Sequence, residues 1–452
     1  MSVAFTREVG RWSRSVAGGT SPLHAAWTPE EAPITSQESG LSQGSHQPAV
    51  AAEPRATFGE VFRIGEFRAL WSAQIVSVVG DQLARVAITL LVFDQTRSAL
   101  LAAVAFAASV VPSFVGGLAL SGLADRWPRR RVMIVCDLVR AALVGLMTVP
   151  SVSVWFLVLL LFLVTMVSAP FSSARAALYP DILAGDRYVM GTALTQTTIQ
   201  FAQVIGFASG GAAVAFLGVR ASLVADAVTF LVSAVIVRLW VGARPAARSG
   251  LHPAGPAISG IRAGVRLVFT SPALLGPVLF GWLSAFYNVP EGIAAPLAHD
   301  LGGGDVAAGL ILAAGAFGAS VGGLLFGRLV MPGQRLRWMS PLAALSCAVL
   351  VLFVFRPALP AALLILTASG LCGCYQLAAS AAFVRATPGR QRSQAFGIAQ
   401  GGMNLGQGAA MILAGAAAQH YPPSAVIAVA GLLGLIAAIS VAMFRRIEAQ
   451  QG

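Results

Sequence analysis

The stretch SGLADRWPRRRVM, residues 121–133, decides how this chain is read. It packs one aspartate and four arginines into the seven positions 125–131. The run before it, ALLAAVAFAASVVPSFVGGLAL at 99–120, carries no charge at all. Another apolar run begins just past it. About 20 apolar residues are what a helix needs to cross a bilayer. A short arginine-rich turn between two such runs marks the cytoplasmic side of a membrane.

The same alternation extends outward along the chain. Of 452 residues, 57% are hydrophobic and only 11% are charged, against about 25% charged in a soluble domain. Alternating ten-residue segments, the mark of a transmembrane β-barrel, do not occur. The reading is an all-α membrane protein. Every one of the 30 basic residues is arginine, and the formal charge is +12. These arginines sit in short loops between spans, so the positive balance orients helices and does not indicate nucleic-acid binding. Cys136, Cys347, Cys372 and Cys374 all fall in apolar runs. They read as buried thiols, because a disulfide framework belongs to an oxidising compartment.

Residues 1–60 are rich in Ser, Pro, Gly, Gln and Glu and read as a disordered cytoplasmic tail. Beyond them the apolar runs predict twelve spans, with cores at 70–93, 99–120, 132–150, 153–172, 190–216, 220–240, 273–297, 306–327, 338–355, 358–382, 394–418 and 424–444. A longer connection at 241–272 divides them six and six, giving bundles at 61–240 and 273–446. That connection holds ISGIRAGVRLVF at 258–269, an amphipathic stretch suited to the cytoplasmic interface. Arg129, Arg187, Arg248, Arg335 and Arg390 lie in the loops after spans 2, 4, 6, 8 and 10, whereas the opposite loops hold Arg97, Arg220 and Arg356. Both termini are therefore expected in the cytoplasm.

The two halves echo each other. Span 5 carries Gln196, Gln200 and Gln203; span 11 carries Gln400, Asn404 and Gln407, at the same spacing and an offset of 204 residues. Each trio falls within about 60° of helical arc and forms one polar stripe. SGLADRWPRRR pairs with GRLVMPGQRLR at 327–337, an offset of 206. Two parallel six-helix repeats are the design of a transporter that rocks one half against the other. The stripes read as cavity lining, with helix–helix glue as the alternative. Tyr375 and Gln376 are candidates to join them.

The motif GLADRWPRRR resembles the signature of the major facilitator superfamily, G-x-L-A-D-R-x-G-R-R, between its second and third helices. Leu123, Ala124, Asp125, Arg126, Arg129 and Arg130 match; Ser121 and Pro128 replace the two glycines. ARAALYPDIL and the pair Gly80-Asp81 look similar to the drug and siderophore exporter branch that includes enterobactin and macrolide exporters. The resemblance covers about residues 60 to 446. It implies the twelve-helix, two-bundle fold of that superfamily. It also implies that Asp125, with Arg126, Arg129 and Arg130, forms a conformational latch on the cytoplasmic side. GFASGG at 206–211 looks like the antiporter motif G-P-x-x-G-G with Phe207 in place of proline. Gly206, Gly210 and Gly211 read equally as close helix packing.

A charge within the membrane is costly, so each one is a functional suspect. Asp81 lies about 16 Å into the first span at 1.5 Å per residue. Arg85, one turn later, is placed to pair with it. A static pair and a proton-carrying carboxylate are both open readings. Glu291, beside Tyr287 and Asn288 at the end of span 7, is a second proton or cation candidate. Asp137 and Arg140 read as a bracing pair, and Asp226 as a shallow interfacial residue.

No phosphate-binding G-x-x-x-x-G-K-[ST] motif, metal cluster or nucleophile constellation appears, which argues against an enzyme and against a bound cofactor. The expectation is a secondary transporter, driven by a proton gradient, that exports a small amphipathic compound. An uptake symporter on the same fold and a non-transporting sensor or scaffold are the alternatives. The expected partners are a small-molecule substrate and the lipid bilayer of a bacterial plasma membrane, the chain acting as a monomer.

Overall fold

Helix is the only regular structure among the described residues. The computed structural model describes residues 57–117, 127–150, 152–244, 257–331, 333–387 and 392–451. Asp125 and Arg126, the acid and first arginine of the signature loop, lie outside them, as do residues 1–56 of the expected tail. Helix begins at Phe58, earlier than expected. The short α1 (Phe58–Arg63) is held because Val61 is fully buried beside Phe67 and Tyr179.

Helical residues occupy every stretch where a span is expected. Nine of the described helices are long and apolar enough to cross a membrane. In chain order, α2 (Gly65–Thr96) is followed by α3 (Ala99–Gly117), whose N-cap Ser98 accepts the Leu101 amide at 3.2 Å. Next come α4 (Arg129–Met147), entered through Pro128, and α5 (Val154–Ile182). The long α6 (Asp186–Trp240) contains two expected spans in one helical run, broken only at Gly218, where φ is 83° and ψ 165°. An L side chain is strained at such a φ, and glycine is not. Gly206 faces Gln82 of α2 before the break, and Asp226 faces Gly80 of α2 after it. The chain therefore doubles back at one residue.

The connection at 241–272 holds the amphipathic α7 (Ala257–Thr270). Its apolar edge is covered by protein: Val268 packs with Leu274, Phe383 and Ala395, and Arg262 and Arg266 stay exposed. Then come α8 (Ala273–Gly292), α9 (Ala294–Asp300), α10 (Gly304–Leu329) and α11 (Arg335–Phe355), whose last seven residues tighten into a 3-10 turn. They are followed by α12 (Leu359–Ala386), α13 (Arg392–Ala417) and α14 (Pro423–Gln451).

Two of these helices are interrupted where they meet. α8 breaks at Leu283 and again at Asn288, just before Pro290; α12 breaks at Gly373-Cys374. Carbonyls freed by the breaks find side-chain donors. The Tyr375 hydroxyl donates to the Phe280 carbonyl at 3.0 Å, and the Gln376 amide donates to the Gly281 carbonyl at 3.1 Å. In a membrane, irregular backbone persists only where protein or a wet cavity satisfies it.

Lipid tails are as apolar as leucine, so these helices associate through small residues and close packing. Large apolar side chains turn outward, Phe216 at 84% exposure and Phe355 at 80%. Glycines mark the contacts. Gly318 and Gly322 of α10 face the backbone of Thr367 and Leu371 in α12. Gly401, Gly408 and Gly415 recur every seven residues along α13 and face Phe114, Val111 and Ala103 of α3. Across from them, Gly211 of α6 meets Gly309 of α10: a Cβ on Gly211 would lie 2.8 Å from the Gly309 Cα.

Candidate substrate cavity and charged network

From their contact at Gly211 and Gly309, α6 and α10 leave space between them. A cavity of about 550 Å³ fills it, walled by α2, α6, α8, α10 and α12. All three glutamines of the first stripe, Gln196, Gln200 and Gln203, line it. The 3.6-residue repeat alone places them on one face. Phe201 and Phe207 add aromatic surface, and Arg85 and Glu291 add one basic and one acidic side chain. Apolar walls with a few polar groups are the usual make-up of a small-molecule site.

The second stripe does not line this cavity. Gln400 donates to Asn404 at 3.2 Å, Asn404 donates to Ser113 of α3 at 3.1 Å, and Gln407 donates to Ser284 of α8 at 2.9 Å. The expectation that Gln400, Asn404 and Gln407 line a shared cavity is corrected. α13 lies against α3 along its glycine row, which brings Asn404 to Ser113, while Gln407 is buried against Ser284 and Gln400 stays exposed. Tyr375 is also absent from the wall; it is fully buried behind it, donating to Phe280. Gln376 does line the cavity, and its amide holds the Tyr287 hydroxyl at 3.0 Å.

Asp81 does not pair with Arg85. One nitrogen of Arg140, Nη2, reaches both Asp81 oxygens, at 2.6 and 2.8 Å. Arg140 is 2% exposed and Asp81 is 29% exposed. Asp137 closes the other side of Arg140 at 3.4 Å, and its second oxygen accepts Ser233 at 2.7 Å. The Phe230 ring lies 3.9 Å from the guanidinium carbon, a cation–π contact that a desolvated arginine strengthens. Arg85 turns away. Its Nη2 donates to the Ser109 carbonyl at 3.3 Å, and its guanidinium stands over Phe106. Sharing a helical face with Asp81 did not decide the pairing, because Arg140 brings a better-oriented donor from α4. Asp226 is fully buried beside Gly80, so its interfacial reading is corrected too. It sits two turns beyond the reversal at Gly218, well inside the bundle.

The described part of the signature loop braces one half. Arg129 donates to Asp181 at 2.5 Å and to the Ala177 carbonyl at 2.7 Å, tying α4 to the end of α5. Arg130 donates to the Arg238 carbonyl near the C-terminus of α6, where a cation offsets the helix dipole. The latch itself needs Asp125 and Arg126, outside the described residues. Gly206 and Gly210 face Gln82 and Val86 of α2, and Gly211 alone faces α10. The cysteines are buried and free, and no metal-binding group of His, Cys, Asp or Glu occurs among the described residues.

The model of the Major Facilitator Superfamily matches residues 70–291 and 292–451. The chain belongs to that superfamily. Its members are membrane transporters and not enzymes. Among curated relatives, macrolide efflux protein A of Streptococcus pyogenes is 24% identical over 272 residues, covering 58% of this chain and 66% of that protein. Enterobactin exporter EntS of Escherichia coli O1:K1 / APEC is 26% identical over 281 residues, covering 59% of this chain and 65% of that protein. The match thus spans just under two thirds of the length of these relatives. Solved structures share the fold at low identity. A mutant of the nucleoside transporter NupG superposes with a TM-score of 0.68 at 12% identity, covering 83% of this chain and 99% of that one. A peptide transporter POT in complex with alafosfalin gives 0.69 at 14%, covering 87% and 96%.

Proposed function

We propose that this major facilitator protein is a secondary exporter that moves a small amphipathic compound outward in exchange for protons. The observation that carries the reading is the cavity of about 550 Å³, mixed in character, closed at one end by Gly211 and Gly309. Glutamines and aromatics suit a compound with both polar and apolar faces; Arg85 and Glu291 suit one with ionisable groups. The relatives named for macrolide efflux and enterobactin export support the outward direction. The arginine-rich loops support a cytoplasmic location for both termini. In that orientation the Gly211–Gly309 contact, and the 2.8 Å bond from Gln419 to Ser98, lie at the outer end. The cavity then faces inward, one of the two states alternating access requires.

The test is flux in everted membrane vesicles made acid inside. A macrolide and iron-free enterobactin serve as probes. Accumulation that a protonophore collapses supports the reading. Accumulation only in right-side-out vesicles would make the protein an importer. Binding of a probe with no flux in either direction would leave it a sensor.

A further inference from the structure

The N-terminal half contains a second carboxylate centre, apart from the cavity. Three aspartates converge from three helical segments: Asp81 of α2, Asp137 of α4 and Asp226 of α6. Arg140 pairs with the first two and is held in place by Ser77 at 3.4 Å and by the Phe230 and Phe171 rings. Arg85 of α2 and Arg175 of α5 are the further cations near it, and neither makes an ion pair with the cluster among the described residues. Arg140 is the one guanidinium paired within the cluster among the described residues, and it pairs with two of the three carboxylates. An unpaired carboxylate charge inside a membrane helix bundle is expensive, and the group neutralises instead.

The hydrogen bonds say which aspartate that is. Asp137 has Arg140 on one oxygen and Ser233 on the other. Asp81 has both oxygens on Arg140. Asp226 is fully buried, and among the described residues it has no ion pair and its Oδ2 meets no donor. Its Oδ1 lies 3.2 Å from the Thr229 hydroxyl. That hydroxyl has a single hydrogen, and the Asp226 carbonyl, at 2.7 Å, takes it. The 3.2 Å contact then lacks a hydrogen unless the carboxyl group supplies one. Gly80 is the reason the two helices come so near: any Cβ there would strike the Thr229 side chain and Asp226 Oδ1.

We propose that Asp226 is a proton-holding site of the N-terminal half, carried as a neutral acid beside the Asp81–Arg140–Asp137 network. Loading forms one O–H bond on Asp226 and breaks one on a hydronium ion; release is the reverse. Asp81 is the exposed member of the cluster and the side from which a proton arrives. A proton on Asp226 is the neutral state that this arrangement accommodates. Its loss leaves a charge that Arg140 answers by giving up part of its hold on Asp81 or Asp137. The inference deepens the proton-coupled reading and rests on it only for the use made of the proton, since occupancy is measured without transport.

The experiment is infrared spectroscopy of the purified full chain in nanodiscs, following the carbonyl band of a protonated carboxylic acid at neutral pH. The band should move when the protein is made with carbon-13 aspartate, stay fixed with carbon-13 glutamate, and vanish in Asp226→Asn. Thr229→Val keeps the acid but removes its acceptor and should shift the band, which gives a reading even if Asp226→Asn does not fold. A band that follows glutamate, or that neither variant alters, overturns the proposal, as does its absence from the wild-type protein. Loss of flux with the band intact would count against the exporter reading and leave this site standing.

Discussion

Arg140 holds both carboxylate oxygens of Asp81 with one nitrogen, across 59 residues of sequence, and turns its other nitrogen to Asp137. One guanidinium therefore ties α2 to α4 inside the membrane. Removing it leaves two aspartates without their cation. Breaking a buried pair from one side costs about 3–5 kcal/mol. Arg140→Met is expected to lower the melting temperature in detergent sharply. Arg140→Lys should recover only part of it, since a compact ammonium cannot present the same planar fork. Equal melting of wild type and Arg140→Met would contradict the network.

Asp81 has the opposite balance of roles. It is the exposed partner, so Asp81→Asn keeps a hydrogen-bond acceptor for Arg140 and should leave the protein folded. The expected loss is in flux driven by a pH gradient, with exchange of substrate at equal pH retained. Normal gradient-driven flux in this variant would remove Asp81 from the coupling path.

Gly211 and Gly309 meet backbone to backbone, and a Cβ on Gly211 would stand 2.6 Å from the Asp305 carbonyl. Gly211→Val should prevent closure at that end and bias the protein toward the opposite opening. The four native cysteines are buried, so a thiol introduced at Ser98 reports with little background. Its labelling rate should rise several-fold in Gly211→Val. An unchanged rate would mean the contact is incidental.

Gln200 and Asn404 occupy matching places in the two repeats but different surroundings. Gln200→Ala should change the relative rates for different substrates, because it faces the cavity. Asn404→Ala loses its bond to Ser113. Such a bond between membrane helices contributes about 0.6 kcal/mol, so all substrates should slow together by a factor of about 3. A competition assay with two probes separates the outcomes.

Arg129 and Asp181 sit at the surface, the aspartate 40% exposed. Such pairs contribute about 0–1 kcal/mol, and Arg129→Ala should melt within a few degrees of wild type. A turnover loss far larger than that small cost would assign the loop to the conformational cycle. Turnover falling only in step with stability would leave it a brace.

Much of this architecture is legible in the residues. Apolar runs of bilayer length and arginine-rich turns place the spans, because lipid imposes both. The signature at 121–130 points to the superfamily that the family match shows. The site is legible in part. The Gln196 stripe is read from helical period alone. The Gln400 stripe misleads, because periodicity shows that residues share a face but not whether that face meets a gap or a neighbour. The glycines at 401, 408 and 415 were the sign of a neighbour. The Asp81–Arg140 pair was hidden by sequence distance, since a partner one turn away is always easier to see. The depth of Asp226 was hidden by Gly218, which reads as a loop but occupies a single position.

That single-residue turn has a further result. By sending the chain back along α2, Gly218 sets Gly206 and Asp226 at the same height on two flanks of one helix. α2 is thus a shared wall, with Arg85 toward the guest chamber and Gly80 and Asp81 toward the acid. Any tilt of that wall is felt in both rooms at once, and no separate messenger between them is required.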